Sequence, residues 1–306
     1  QRGVYLIGRN GYLGSPMDLH RFEDFNSNQN QDRGPLNGLA FAYSGFPYVY
    51  PDIVGGTFSI KGMPPLSDAK LKRYFMRNAQ YASVNPSMAM GFGPWQFKDE
   101  EVERVVLRAA RLHARLQPYI YSAAVDAFAS GFPHTMTPLS LKWPQDPEVY
   151  QLENTRRRGY QWMLGPSLLA TPLYGNDCGT AETRDVYLPA GRWMDYDTGE
   201  IIEGPRTLKN YPLPPGKTPL FVGGKGVVVE RDLEQNGLVA VVYPVAPENS
   251  TYQFTYPDGA SHTHITTRFN GTKPLAPGVI DLTMGDSVDL KRDPITKAVS
   301  FAIKSG

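Results

Sequence analysis

The chain has 306 residues, 41% of them hydrophobic and 12% aromatic, which is enough apolar side chain for one large domain or two to three smaller ones. Lys and Arg total 31 against 30 Asp and Glu, for a formal charge of +1, and the longest basic run is Arg156-Arg157-Arg158, so nucleic acid is not expected as a partner. No window approaches ~18 uninterrupted apolar residues, and no charged stretch followed by an apolar core opens the chain; neither a membrane span nor a signal peptide is expected within these residues, and a leader on a longer precursor stays open.

Cys178 is the single cysteine, so internal disulfides are impossible. Asn249-Ser250-Thr251 and Asn270-Gly271-Thr272 are glycosylation sequons in turn-like polar surroundings, and they lean the reading toward a secreted or luminal protein, whether extracellular, lysosomal or in the endoplasmic reticulum. Pro (27), Gly (30) and the aromatic content suit a loop-rich α/β or β protein with a carbohydrate-sized cleft.

Taken in order, Val4 to Gly8 reads as a buried strand. The loop Arg9 to Ser15 carries two glycines but lacks the GxxxxGK spacing of a phosphate loop. Glu23 and Asp24 follow, flanked by Phe22 and Phe25. Aromatic neighbours that partly desolvate a carboxyl raise its pKa and suit it to general-acid work; a solvated loop acid is the plainer reading. Residues 36–44 form a short helix candidate. Phe46 to Asp52 is then β-branched and aromatic, a strand that ends in an acid and runs into Gly55-Gly56. Barrel enzymes and open α/β sheets gather their chemistry at such strand ends, although an Asp there also serves simply to cap a turn.

A helix is expected over 68–83, with Leu71, Phe75, Ala79 and Ala82 at helical spacing. The segment from Asn85 to Trp95 is irregular and rich in Met, aromatic and Gly residues, and suits either a cleft wall or plain packing. The strongest helical pattern covers 99–130. Val102, Val105, Val106, Ala109, Leu112 and Leu116 line one face, and Arg104, Arg108, Arg111 and Arg115 the other, read as a solvated face. Asp99, Glu100 and Glu101 suit its start, Gly131 its end, and Pro118 is expected to kink or split it. His113 reads as packed rather than catalytic.

Near Leu139 the pattern changes. After one more helical stretch come short strands over 167–172, 184–188, 192–196, 220–222, 226–230, 238–243, 252–256 and 263–269, as expected of β-sandwich domains. His262 and His264 project from one strand face, but no third ligand is evident, and they read as surface residues rather than a metal site.

Arg9-x-Gly11-Tyr12-x-Gly14-Ser15, an Asp fifteen residues after that Arg, and Gly45-Phe46-Pro47-Tyr48-Val49-x-Pro51-Asp52-x-x-Gly55-Gly56 together resemble the second half of the catalytic barrel of glycoside hydrolase family 31. Arg77-x-x-Gln80, Asn85-Pro86-Ser87-Met88 and Gly93-Pro94-Trp95 look like the branch of the myogenesis-regulating glycosidase and its α-galactosidase relatives. Leu164 to Pro172, Arg184 to Trp193, Thr198-Gly199 and Pro219-Leu220-Phe221 resemble the family's proximal C-terminal sandwich. The likeness runs over 3–230.

That resemblance implies an α/β then all-β chain: the second half of a (β/α)8 TIM barrel (1–160) followed by a proximal (161–230) and a distal (231–306) β-sandwich. It implies Asp24 as the general acid/base, and Arg9, Asp52, Arg77 and Trp95 as substrate-binding residues. The implied reaction is hydrolysis of terminal α-linked galactosides or glucosides with retention, without metal or cofactor. Such an enzyme needs two carboxyl groups about 5 Å apart, one attacking the anomeric carbon and one protonating the leaving oxygen. Glu23 replaces the glycine usual before the acid, Asn78 stands where an aromatic is usual, and Met88-Ala89-Met90 occupies the place of a family histidine. The family's nucleophilic Asp belongs upstream of residue 1. The expected partner is therefore an N-terminal chain of the same precursor, which would complete the barrel and supply that Asp, with an α-linked oligosaccharide or glycoside as substrate. A family member that has lost catalysis and serves as a carbohydrate-binding or structural glycoprotein is the alternative.

Overall fold

The computed structural model describes residues 7–8, 19–21, 33–50, 53–55, 65–91, 93–152, 159–174, 180–267 and 291–303. First come β1 (Ile7–Gly8), β2 (Leu19–Arg21), α1 (Arg33–Tyr43) and β3 (Val49–Tyr50). The three strands lie side by side in that order and all run parallel, with Ile7 opposite Leu19 and His20 opposite Val49. The pattern recurs in β4 (Ile53–Val54), α2 (Ala69–Ala82) and β5 (Ala89–Met90), where β4 and β5 pair in parallel. Parallel neighbours cannot be joined by a tight turn, so each pairing needs a crossover; β2 is joined to β3 through α1, and β4 to β5 through α2.

Helix α2 keeps to the expected span. Asp68 caps its start by accepting from the Leu71 N–H at 2.8 Å, and Leu71, Phe75, Ala79 and Ala82 are buried. A 3₁₀ turn (Pro94–Phe97) leads to α3 (Glu100–Ser130). Asp99 caps α3 through the N–H groups of Glu101 and Val102, three glutamates follow in the first turn, and Gly131 closes the other end on the Ala127 carbonyl. All six apolar positions read from its periodicity are buried.

Two expectations for α3 need correction. Pro118 does not split it: the helix is one element of 31 residues, with Leu116 and Tyr119 fully buried on either side of the proline. Nor is the arginine row simply solvated. Arg108 donates to Asp197 at 2.8 Å and to Thr218 at 3.2 Å, while Arg115 donates to the Tyr196 hydroxyl at 2.6 Å and sits 3.3 Å from Glu230. Half of the row therefore reaches across to the sheets.

The remainder is mostly antiparallel sheet. It comprises β6 (Thr137–Pro138), α4 (Leu139–Lys142), α5 (Pro147–Leu152), β7 (Trp162–Leu164), β8 (Leu168–Ala170), β9 (Thr183–Asp195), β10 (Ile201–Pro212) and β11 (Leu220–Val222). Six of these strands make one sheet in the order β10-β9-β11-β8-β7-β6. The two strands expected over 184–188 and 192–196 are a single strand, β9. It pairs along its length with β10, a strand that the sequence reading missed. Gly204 on β10 lies so close to β9 that a Cβ there would sit 2.0 Å from the Pro189 carbonyl oxygen, so only glycine fits. The sheet takes β6 from before residue 161.

A second sheet of order β12-β13-β17-β16 is built from β12 (Val227–Arg231), β13 (Leu238–Val242), β16 (Lys291–Arg292) and β17 (Val299–Ile303), and β14 (Ser250–Thr255) pairs with β15 (His262–Thr267) as a hairpin. Helix α3 is the spine against which these parts pack. Its Leu116 and Tyr119 share one apolar cluster with Trp162, Leu164, Val228 and Phe254, and its Val102, Val105 and Val106 share another with Phe75 and Leu213. Each large apolar side chain buried there contributes about 1.5–3 kcal/mol. Among the described residues, no helix is long and apolar enough to cross a membrane.

Candidate functional site

Arg9, Glu23, Asp24, Asp52 and Asn270 lie outside the described residues, as does Cys178. What the structure does describe is the frame on either side of Asp52. Before it, the Tyr48 hydroxyl donates to the Ala124 carbonyl of α3 at 2.9 Å, and the Thr135 hydroxyl donates to the Pro47 carbonyl. After it, β4 pairs with β5, and the Gly91 N–H donates to the Val54 carbonyl at 3.0 Å. The buried N–H of Gly55, a residue at φ +92, donates to the Asn78 side-chain oxygen at 2.9 Å. The segments on either side of Asp52 are therefore held by α2, α3 and the start of the sheet region. Asn78 departs from the family pattern and here ties down the turn that follows β4. Neither Tyr48 nor Thr135 carries a sequence signal for this role, because each finds its partner some 80 residues away.

Arg77 occupies the third turn of α2 and is 1% exposed. Its guanidinium donates to Gln80 Oε1 at 2.9 Å, to the Leu213 carbonyl, and to the Ala181 carbonyl at 2.7 Å, with a Glu182 carboxylate oxygen 3.8 Å away. A buried cation needs this kind of enclosure by acceptors. The side chain expected to touch substrate is thus turned into the protein, where it braces α2 against β10 and the segment that enters β9. Gln80, from the same motif, extends the brace to the carbonyls of Pro214 and Lys217. A small cleft between α3 and this loop is lined by Gln80, Ser83, Arg108, Lys217 and Thr218, and Gln80 and Arg108 bond across it, to the carbonyls of Pro214 and Lys217 and to the Thr218 hydroxyl.

Trp95 differs from Arg77 in being 67% exposed. It sits in the 3₁₀ turn after β5 with its benzo ring against Gly93, where an added Cβ would lie 2.1 Å from Cζ2. Asn249 is exposed at the turn into β14, at φ +55, a conformation that Asn tolerates better than most residues. The rings of His262 and His264 stand perpendicular, 5.6 Å apart, on the exposed face of β15. Among the described residues, no group of three or more His, Cys, Asp or Glu side chains comes together as a metal site. His113 is held against α2 with Nδ1 3.3 Å from the Ser83 carbonyl oxygen; burial lowers its pKa.

Residues 133–228, which span the six-stranded sheet, match the glycosyl hydrolase family 31 C-terminal domain. This region is similar to family 31 C-terminal domains. Beyond that domain, the chain is 33% identical over 180 residues to an α-xylosidase of Saccharolobus solfataricus, a match that takes in 56% of this chain and 22% of that protein. It is 30% identical over 179 residues to the myogenesis-regulating glycosidase of Mus musculus, covering 57% of this chain and 23% of that one. The chain thus spans less than a quarter of the length of these curated relatives. In fold it is similar to a family 31 dextranase of Flavobacterium johnsoniae solved with glucose, with a TM-score of 0.67 at 19% identity over 94% of this chain and 42% of the dextranase. This likeness in fold covers 94% of the chain and so takes in the segments that carry the parallel strands.

Proposed function

We propose that this chain is the C-terminal portion of a retaining α-glycosidase of family 31 that removes terminal α-linked galactose or glucose, with its nucleophilic Asp supplied by sequence N-terminal to it. The observation that carries this reading is the extent of the likeness to family 31 glycosidases, 180 residues against the 96 of the C-terminal domain (133 to 228). On this reading the two parallel β-α-β units belong to the second half of a (β/α)8 barrel, and the two antiparallel sheets to a proximal and a distal β-sandwich.

The reaction proceeds in two displacements. The upstream carboxylate attacks the anomeric carbon, the glycosidic C–O bond breaks, and Asp24 gives its proton to the departing oxygen. Asp24, now a carboxylate, takes a proton from water, whose oxygen attacks the same carbon and frees the nucleophile, so the configuration is retained. Arg9 and Asp52 bind sugar hydroxyls, Asp52 as a charged acceptor. The anchored segments on either side of Asp52 support that role, since a group that positions a substrate must itself be fixed to within about 0.5 Å. The sequons support a secreted or luminal setting, and Asn249 is accessible for glycan transfer.

The test is native purification with every accompanying polypeptide, N-terminal sequencing of each, and assay on aryl α-galactosides and α-glucosides. Hydrolysis with retained configuration, abolished in Asp24→Asn, supports the reading. The departures at Glu23 and Met88-Ala89-Met90 favour a second reading, in which the protein binds carbohydrate without cleaving it. Sugar binding by a protein that hydrolyses neither glycoside would establish that second reading in place of the first.

A further inference from the structure

We infer that Asn236-Gly237, in the turn between β12 and β13, is a site of spontaneous covalent modification, at which the Asn236 side-chain amide leaves as ammonia and aspartate or isoaspartate takes its place. The inference is independent of the glycosidase reading above, because the reaction draws only on these two residues and solvent water.

The chemistry needs an amide carbon open to attack, a backbone nitrogen free to attack it, and no side chain in the way. Asn236 and Gly237 are both exposed. The Asn236 side-chain oxygen accepts from Arg231 Nη1 at 3.1 Å, so a cation draws electron density away from the carbon under attack. The Gly237 carbonyl accepts from the Asp232 N–H at 2.9 Å and closes the hairpin, whereas the Gly237 N–H has no acceptor among the described residues. Glycine brings no Cβ to shield that nitrogen, and the space around it is open, since an added Cβ would meet nothing within 4 Å. An exposed turn can make the rotation that brings nitrogen and carbon together without disturbing the core.

The Gly237 nitrogen gives up its proton to solvent and bonds to Asn236 Cγ. The bond from Cγ to the side-chain nitrogen then breaks, and that nitrogen departs as ammonia, leaving a cyclic succinimide. Water opens the ring at either carbonyl. Cleavage between Cγ and the Gly237 nitrogen gives aspartate; cleavage at the Asn236 backbone carbonyl gives isoaspartate, which routes the chain through the side-chain carbon. Either product exchanges a neutral amide for a carboxylate in the turn beside Arg231, whose other arm holds Gln117 of α3 at 2.8 Å.

Two similar dipeptides lack the free nitrogen. Gly38 of Asn37-Gly38 lies inside α1, where the helix ladder takes its N–H. Gly259 of Asp258-Gly259 donates its N–H to the Tyr256 carbonyl at 2.9 Å.

The test incubates the native protein, with any accompanying polypeptides, at neutral and mildly alkaline pH in water enriched in heavy oxygen, followed by digestion in ordinary water and peptide mapping by mass spectrometry. Aspartate and isoaspartate carrying a heavy oxygen are expected at position 236, several-fold faster than at Asn37 and faster at the higher pH. Gly237→Ala, for which the fold has room, should slow the conversion several-fold. Reaction at Asn236 no faster than at Asn37, or as fast in Gly237→Ala as in wild type, overturns the inference. So does an Asn236 that stays intact in the native protein and converts only in denaturant, because the folded turn would then protect the pair.

Discussion

Arg77 on α2 donates to the Ala181 carbonyl at 2.7 Å across 104 residues of sequence, and through it α2 is fastened to the hairpin of β9 and β10. Arg77→Ala leaves the Leu213 carbonyl and the Gln80 side-chain oxygen without their donor in a buried place, and leaves the Ala181 carbonyl with the Arg73 guanidinium alone at 3.2 Å. We expect a loss of about 3 kcal/mol or more in unfolding free energy, read from denaturant midpoints, and no rescue by Arg77→Lys, whose single ammonium cannot match the planar fork. Unchanged stability together with a raised KM would return Arg77 to the substrate pocket.

Asp195 and Lys217 meet at 2.9 Å at the foot of the same hairpin, with the Asp195 carboxylate 4% exposed. The other carboxylate contacts are the Tyr211 hydroxyl and the N–H groups of Asp197 and Thr198. Burial opposes ionisation, but the hydrogen bonds from Tyr211, Lys217 and the turn outweigh it, and the carboxyl titrates below its ordinary value. A carboxyl lowered on folding contributes stability that is complete above its unfolded value of about 3.9 and is lost as pH falls through the folded one. Asp195→Ala should therefore cost about 3–5 kcal/mol at neutral pH, and the gap between variant and wild type should close below about pH 4. A gap that stays constant down to pH 2 would mean that the contribution is packing and not charge.

The difference between what could and could not be read in advance is one of range. Helices α2 and α3 were legible nearly to the residue because their signals are local: a capping Asp, an apolar repeat of 3.6, a closing Gly. Strand β10 was not legible. Gly204-Pro205 and Lys209-Asn210 interrupt any alternation within it, and it is a strand only because β9 presents a partner along its length, with register shifts at those interruptions. At the site, the sequence motifs could place Asp24 and Asp52 by resemblance, whereas Arg77 and Asn78 act through backbone groups far along the chain, at Ala181, Leu213 and Gly55. Residue type and spacing carry no record of such partners.

Gly204 offers a test of the β9–β10 pairing that owes nothing to charge. An added Cβ would lie 2.0 Å from the Pro189 carbonyl oxygen and 2.8 Å from that of Leu188, both backbone atoms that cannot turn aside. Gly204→Ala should force the two strands apart and destabilise the sheet by about 1–3 kcal/mol, seen as a lowered thermal midpoint. The same exchange at Gly237, where an added Cβ meets nothing within 4 Å, should shift that midpoint far less. Equal effects at the two positions would show that the close approach is not what selects glycine.

His113 sets the behaviour in mildly acidic solution. Burial holds its pKa below the ordinary 6.5, against the opposing pull of the Ser83 carbonyl, so the folded protein takes up this proton at lower pH than the unfolded chain does. The unfolded state then binds more protons as pH falls below about 6.5, and unfolding free energy decreases, by up to about 1.4 kcal/mol per pH unit for one group. His134 is shifted the same way by burial, with Asp126 opposing and Lys142 adding to the shift, so two histidines share the window. We expect the wild type to lose stability steadily between pH 7 and pH 5, and His113→Gln, which keeps a donor for Ser83, to show a shallower slope with the His134 share remaining. Denaturant midpoints at pH 7, 6 and 5 for the two proteins decide the matter: identical slopes would mean that His113 charges in the folded state as easily as in the unfolded one.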